Sequence, residues 1–388
     1  MTSYALSDEA DSWRALNVAA GLREHGHEVA VQQYVRMPST APTPDWGDRF
    51  SNVPCRIDVV SRPLCLVRHL RSVLSEGYDV VIGNNINGTL FSALGRLAAP
   101  LVLDMHGDMA AELSMEQLGR DSAVPASHRV RRKMYQLAEV VTCRLSSRVW
   151  CVSRSMMEAL HGRGIRGEKL VYAPNGVDLE FFRPMSRDAL MSFRSELGIS
   201  HDTLLVGYLG RFHRWQGVDA LLETARSFRD PEVEFLIVGG KETKREGNMS
   251  FVREVPLQRM PLYYALCDVV VLPRPRHPAT EVAAPTKFAE YAAMGKPILL
   301  TNVGDAPKLV EKYGCGIVVK DNSPPELHKG IAQMKLCAGQ TLLEMGLAAR
   351  RLAENEFDFE NTKRTLARCI DELTGSPWRS GIADTRFL

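Results

Sequence analysis

Short apolar runs alternate with helix-like segments along nearly the whole chain. The runs predict strands at 27–35, 55–60, 78–84, 99–106, 148–153 and 169–175, and again at 204–210, 234–240, 269–274, 296–302 and 316–319. Several, such as LLVGYLG and EFLIVGG, are continuously apolar rather than alternating. That is the pattern of strands buried on both faces of a parallel sheet. Strand–helix alternation over this length predicts an α/β, doubly wound architecture. The segment PNGVDLEFFRPM (174–185) interrupts it with an Asn-Gly turn and two prolines, and a fresh strand–helix series begins after 200. The chain therefore divides into an N-terminal unit, 1–184, and a C-terminal unit from 185. Doubly wound units bind ligands at the carboxyl ends of their strands, so a cleft between the two is expected. The first unit opens unusually. A helix that includes Trp13, Leu16 and Ala20 and stops at Gly26 is preceded only by MTSYALSDEAD, which leaves a stub at 1–5 where a strand normally stands.

Composition narrows the function classes. The 388 residues are 45% apolar and 24% charged, with a formal charge of +2. These values suit a globular protein of two or three domains and exclude a disordered chain or a bulk-charge nucleic-acid wrapper. No uncharged apolar run reaches the roughly 18 residues a membrane span requires. The opening residues carry two acids by position 9 and no apolar stretch, which predicts no cleaved signal. Eight cysteines form no C-x-x-C pair, so buried free thiols in a reducing compartment are expected rather than disulfides. No metal-ligand spacing occurs, and no metal site is expected.

Three segments carry candidate chemistry. In LLVGYLGRFHRWQG, Arg211 ends a buried strand and could present a rigid cationic fork to an anion, although a surface ion pair is the commoner role for such an arginine. In APTKFAEYAAMGKPILLTN, Pro285 and Thr286 open a helix that Gly295 ends. Its free N-terminal N–H groups favour a phosphate. Lys287 and Glu290 share one side of that helix, as a sugar- and phosphate-binding pair or as an ordinary i,i+3 salt pair. In VLDMHGDMAAE, His106 lies just past a buried strand, beside Asp108 and Glu112. A loop position at a strand's carboxyl end favours function, whereas a lone histidine is more often structural.

Taken in order, GYLGRFHRWQGVDALLETA, FLIVGG, VREVPLQRMPLYYALCDVVVLP, PTKFAEYAAMGKPILLTNVG, VYAPNGVDLEFFRP, LREHGHEVAV and VLDMHGD resemble the signatures of family-4 retaining glycosyltransferases. The resemblance spans nearly the whole chain. It implies two Rossmann-like domains of GT-B type, with the donor domain at 185–356 and a final helix, in 357–388, returning to the first domain. It implies a hexosyl-type transferase that needs no cofactor beyond its nucleotide-diphospho-sugar donor and works without a metal. By the same resemblance, Arg211 would hold the donor diphosphate and Glu290 the ribose hydroxyls. Arg253 to Pro256, Val255 among them, would line the base pocket. Ala284, Pro285, Thr286 and Lys287 would face the phosphates and sugar, and His106 would stand across the cleft. Two positions depart from the pattern. Gln216 replaces a lysine, for which Arg214 or Lys287 could substitute, and Lys287 is expected because it stands on the phosphate-facing helix. Val282 occupies the place of a sugar-binding glutamate, with Glu281 one residue off.

The resemblance also implies a cytoplasmic enzyme with a carbohydrate or lipid-linked acceptor, serving polysaccharide, glycolipid or glycoprotein assembly. Between 120 and 169 eleven basic residues face four acids, a net of +7, densest at 128–133. Such a surface suits either peripheral contact with the inner face of the membrane or a solvated basic helix. Nucleic acid is not expected, since Tyr135 alone interleaves with the charges. A nucleotide-sugar hydrolase or epimerase, and a catalytically silent sugar-nucleotide-binding partner, remain alternatives. The family's opening strand, reduced here to Met1–Tyr4, leads us to expect a natural start some five to ten residues upstream, by ordinary strand length.

Overall fold

The structure, a computed structural model, describes residues 10–35, 55–59, 77–86, 89, 99–115, 125–186, 190–337 and 339–375. The expected opening strand lies outside these residues. In the first unit β1 (Val31–Val35) and β2 (Cys55–Val59) pair in parallel. A second parallel sheet has the order β3 (Val81–Asn84), β4 (Leu101–Met105), β5 (Arg148–Cys151) and β6 (Leu170–Tyr172). Val81 lies opposite Leu101 and Val149 opposite Leu170. Among the described residues no ladder joins the two sheets.

The second unit is built on a seven-stranded sheet. Its strands are β7 (Leu204–Leu209), β8 (Val233–Gly240), β9 (Lys244–Glu246), β10 (Met249–Arg253), β11 (Val269–Leu272), β12 (Ile298–Thr301) and β13 (Gly316–Val319). Their order is β13-β12-β11-β7-β8-β10-β9, parallel except for β9. The chain runs outward from β7 to one edge and then crosses back to β11 on the other side. The switch point thus falls between β7 and β11, where an open α/β sheet leaves its ligand crevice. The continuous apolar runs reflect two-sided burial. Leu205, Leu209, Leu236 and Val238 face one core, while Val206, Tyr208, Phe235 and Ile237 face the other. The β9–β10 hairpin is absent from the hydrophobic pattern, because β9 reads Lys-Arg-Glu at an edge.

After an irregular turn at Ala353–Phe357 the chain crosses back. The crossing lies against the linker: Val177 donates its N–H to the Phe357 carbonyl at 2.8 Å, and Phe359 donates to the Val177 carbonyl at 3.3 Å. The final helix is capped by Asp358, whose side chain accepts from the Glu360 N–H. It spans Phe359–Thr374 and packs on α1 (Ala10–Glu24). Leu366, Ala367 and Ile370 join Val18, Leu22, Val102 and Trp150 in one core. Among the described residues no helix is long and apolar enough to cross a membrane.

Leu366 is only 1% exposed in that core. Leu366→Ala should therefore cost about 2–5 kcal/mol by lost transfer energy and cavity formation. A urea unfolding midpoint unchanged from wild type would show that the helix is not docked.

Candidate active site

Gly210 follows β7 with φ +138°, and a β-carbon there would overlap the Lys287 ammonium. The missing side chain lets Lys287 lie across the end of β7. Lys287 reaches it from the first turn of the helix Thr286–Ala293, which begins after Pro285 with no side-chain cap. Its Nζ donates to Tyr208 Oη at 2.8 Å and to Gln216 Oε1 at 3.1 Å, and stands 4.5 Å from the Tyr208 ring centroid. The departure at Gln216 and the lysine expected to substitute for it thus meet: the side chain in the loop lysine's place accepts a hydrogen bond from Lys287. Burial, with Arg274 nearby, lowers the Lys287 ammonium from its ordinary 10.5 to about 7, and Glu290 opposes this.

Arg211 follows Gly210 and remains half exposed, with Nε 3.6 Å from Glu254. Arg274 was not singled out by the sequence reading. It follows β11 as Arg211 follows β7, so the two arginines stand at the strands that flank the switch point. Arg274 is 6% exposed, and its Nη1 donates to the carbonyls of Thr280 and Ala283 at 3.4 Å. Its Nε has no partner among the described residues. Burial lowers its guanidinium to about 10, so it remains cationic at neutral pH. Applying the strand-end argument to VVVLPR as well as to VGYLGR would have found it.

Glu290, one turn beyond Lys287, accepts from Tyr264 Oη at 2.5 Å, and burial pushes its carboxyl upward. Glu281 does not join this pair. It lies on the short helix Pro278–Val282, where it accepts from the Gly304 N–H at 2.8 Å and pairs with Arg276 at 3.2 Å. Val282 is buried with Leu103, Met105 and Val152 of the first unit, and its carbonyl accepts from Ser153 Oγ at 2.5 Å. The position expected to carry the sugar-binding glutamate is an interdomain packing position. Arg253 is the exposed last residue of β10 rather than a loop residue, and its N–H donates to Thr243 Oγ1 at 3.1 Å. Val255 is half-buried against a core of the second unit.

In the first unit, His106 follows β4. Its N–H donates to Asn85 Oδ1 at 3.1 Å, and its Nε2 lies 3.0 Å from Asp104 Oδ2. Arg14 grips the same carboxylate, with Nη2 at 2.8 Å and Nε at 3.1 Å. Burial alone would raise the Asp104 carboxyl, but Arg14 and His106 hold it well below the usual carboxylate range. Arg14 also donates to the carbonyls of Ala173 and Pro174 and to Asn175 Oδ1. Asn175 Nδ2 in turn donates to the Ala284 carbonyl at 2.8 Å, two residues before the Lys287 helix. A continuous polar chain therefore joins His106 to the turn that leads into the helix Thr286–Ala293.

Among the described residues no cluster could hold a metal ion. Six free cysteines are described, five of them buried. Burial raises the Cys143 and Cys267 thiols to about 12, which makes them poor nucleophiles at neutral pH.

Two doubly wound units of this kind have the architecture of the GT-B class. Residues 12–181 match the family model Glycosyltransferase Family 4, and residues 203–335 match Glycosyl transferases group 1. The chain belongs to this glycosyltransferase family. It is 27% identical to an Escherichia coli protein named for glycosyl transfer in colanic acid biosynthesis, over 91% of this chain and 93% of that one. Sucrose-phosphate synthase of Thermosynechococcus elongatus shares the fold with a TM-score of 0.74 at 17% identity, covering 97% of this chain and 99% of that one. The Anabaena protein HepE, solved in complex with UDP, gives 0.74 at 18% identity, covering 96% and 99%.

Asp104→Asn keeps the shape of the side chain but leaves Arg14 as a buried, unpaired cation. The expected cost is about 3–5 kcal/mol, since breaking a buried pair strands a charge. Chemical unfolding at neutral pH checks it, and a cost near zero would remove Arg14 and Asp104 from the centre of the network.

Proposed function

We propose that this glycosyltransferase takes a hexosyl group from a nucleotide-diphospho-sugar and transfers it, with retention at the anomeric carbon, to a carbohydrate or lipid-linked acceptor of cell-surface assembly. The observation that carries the donor assignment is the cation set at the β7–β11 switch point. Among the described residues neither Lys287 nor Arg274 has a carboxylate within ion-pair distance, and Arg211 has only an exposed partner at 3.6 Å. Desolvated cations without counter-ions are costly unless an anion arrives. A diphosphate supplies that charge, and the open helix end beside Lys287 adds N–H donors. The UDP complex of the Anabaena protein and the colanic acid name of the Escherichia coli relative support the donor and acceptor classes.

In this reading the bond from the anomeric carbon to the diphosphate oxygen breaks as negative charge grows on the leaving group. Arg211, Arg274 and Lys287 stabilise that charge in a site shielded from water. The acceptor oxygen bonds to the anomeric carbon on the face the diphosphate leaves, and the acceptor proton passes to the departing diphosphate. Glu290 accepts hydrogen bonds from the ribose, and Val255 with the Arg253 main chain borders the base. His106, oriented by Asp104, hydrogen-bonds the sugar from the opposite wall. Domain closure keeps water from the sugar.

Lys287 gives this reading a pH signature. Its folded value lies near 7, below its ordinary 10.5. Between those values the unfolded chain holds one more proton than the folded one. The penalty for burying the charge is therefore full below pH 7 and relaxes as the pH rises. A bound diphosphate favours the ammonium and draws the proton back. Calorimetry above pH 7, in buffers of differing ionisation enthalpy, should show proton uptake on donor binding, and Lys287→Met should abolish the uptake and weaken binding at least about tenfold. Binding without proton uptake would show that Lys287 does not meet the diphosphate.

A panel of UDP-, GDP- and ADP-sugars tests the donor class directly. A true donor at a hundredfold excess over its Kd adds about 2.7 kcal/mol to stability. If none raises the melting temperature, the donor assignment fails. Anomeric NMR of the product reads retention, and sugar release at an undiminished rate without acceptor would favour a hydrolase.

A further inference from the structure

Tyr208 stands one residue before the end of β7 and is fully buried. Its ring packs in a core with Val206, Phe235 and Ile237, as a place in an apolar strand requires. Its hydroxyl has other partners. A phenol has one proton to give and lone pairs that receive. Tyr208 Oη gives its proton to the carbonyl of Arg211 at 2.9 Å, three residues along its own chain. Lys287 therefore meets the lone pairs, and its Nζ donates to them at 2.8 Å. Burial pushes the phenol well above its ordinary value, so it keeps its proton at neutral pH. One oxygen thus joins the main chain of Arg211 to the side chain of Lys287.

We propose that Tyr208 is a positioning residue of the donor site, where with Gln216 it holds the Lys287 ammonium charged and in one place. The inference rests on the transferase reading and deepens it. A lysine on its four-carbon stem is a mobile point charge unless its donors are engaged. Lys287 has three N–H donors when charged. Tyr208 takes one, and Gln216 Oε1 takes another at 3.1 Å. Neither acceptor is charged, so the ammonium is fixed without being neutralised, and one N–H is left for a diphosphate oxygen. A carboxylate in either place would hold the lysine as firmly but cancel the charge that a leaving diphosphate needs. Arg274, after β11, disfavours the ammonium, and Glu290, on the same helix as Lys287, favours it. Tyr208 and Gln216 add two acceptors that bond the charged form about twice as strongly as a neutral amine. The turn that carries Arg211 is held by the same oxygen. Its carbonyl is fixed by Tyr208, and the Gly210 N–H donates to the Val238 carbonyl at 2.9 Å.

The test is calorimetric titration of the full chain with UDP, GDP and ADP in turn, at pH 6 and at pH 8. Tyr208→Phe keeps the ring beside the ammonium and removes only the hydroxyl. Losing one acceptor should cost Lys287 about tenfold in its protonation equilibrium. Wild-type Lys287 titrates near 7. The Kd of the variant should therefore rise about tenfold over wild type at pH 8 but only about twofold at pH 6. Gln216→Leu removes the other acceptor and should show the same skew. Comparing variant with wild type at one pH cancels the nucleotide's own titration. A loop that is merely disordered would weaken binding equally at both pH values. An equal loss, or no loss, in a folded Tyr208→Phe overturns the inference. If Tyr208→Phe does not fold, Gln216→Leu decides by the same criterion. Wild-type binding without the skew sinks positioning alone, whereas the failure of all three nucleotides to bind wild type sinks the transferase reading and the inference with it.

Discussion

A buried guanidinium has to be satisfied on every side, and Arg14 meets that demand by gathering parts of the molecule that are distant in sequence. It takes the carboxylate of Asp104 on β4, the carbonyls of Ala173 and Pro174 after β6, and the side chain of Asn175 at the start of the linker. None of these acceptors can move far without stranding a charge in a dry interior. The position of α1 over the sheet, the orientation of His106 through Asp104, and the departure of the linker are therefore set together. Asn175 then carries the constraint into the second unit by its bond to Ala284.

The second unit solves the opposite problem. At its switch point cations are brought together without matching carboxylates. The sheet supplies the geometry by placing Arg211 and Arg274 after neighbouring parallel strands, and Gly210 leaves room for Lys287. The cost appears as a lysine lowered to about 7 and an arginine lowered to about 10. Other inter-unit bonds are local: Asp305 caps a first-unit helix by accepting from the N–H groups of Arg154 and Ser155, and the Ser114 and His277 side chains meet at 3.2 Å. The first unit pairs its buried arginine, whereas the second leaves Lys287 and Arg274 without a carboxylate at ion-pair distance among the described residues.

Much of this was legible in the sequence. Two-sided burial makes strands such as LLVGYLG unmistakable, and the linker announces itself through proline and an Asn-Gly turn. Arg211, Lys287, Glu290 and His106 fall at strand or helix ends, which a linear reading can find. Glu281 and Val282 were harder, because whether a carboxylate faces the cleft or the Gly304 amide depends on a rotation of the short helix Pro278–Val282. Arg274 sits in a run of prolines and arginines, where the strand-end argument marks it as a candidate and the strand order adds that its strand adjoins β7. The β9–β10 hairpin escaped because a charged edge strand has no hydrophobic period. The exposed pole of the helix Ala126–Leu145 was visible only as net charge, since Val130, Met134, Leu137 and Val141 declare themselves once the opposite face is seen to be buried.

The return of the last described helix to α1 has a consequence for the order of events on the ribosome. Leu366, Ala367 and Ile370 complete a core whose other members, Val18, Val102 and Trp150, leave the exit tunnel much earlier. From outside its own stretch of chain the second unit takes into its core linker residues, Val177 and Phe182 among them, which are made before it. It is an insert within the first, and domains emerging from the ribosome fold as units once their own sequence is complete. The later half of this chain therefore reaches its native state first, and the earlier half waits, with part of its apolar surface open, until the final helix has been made.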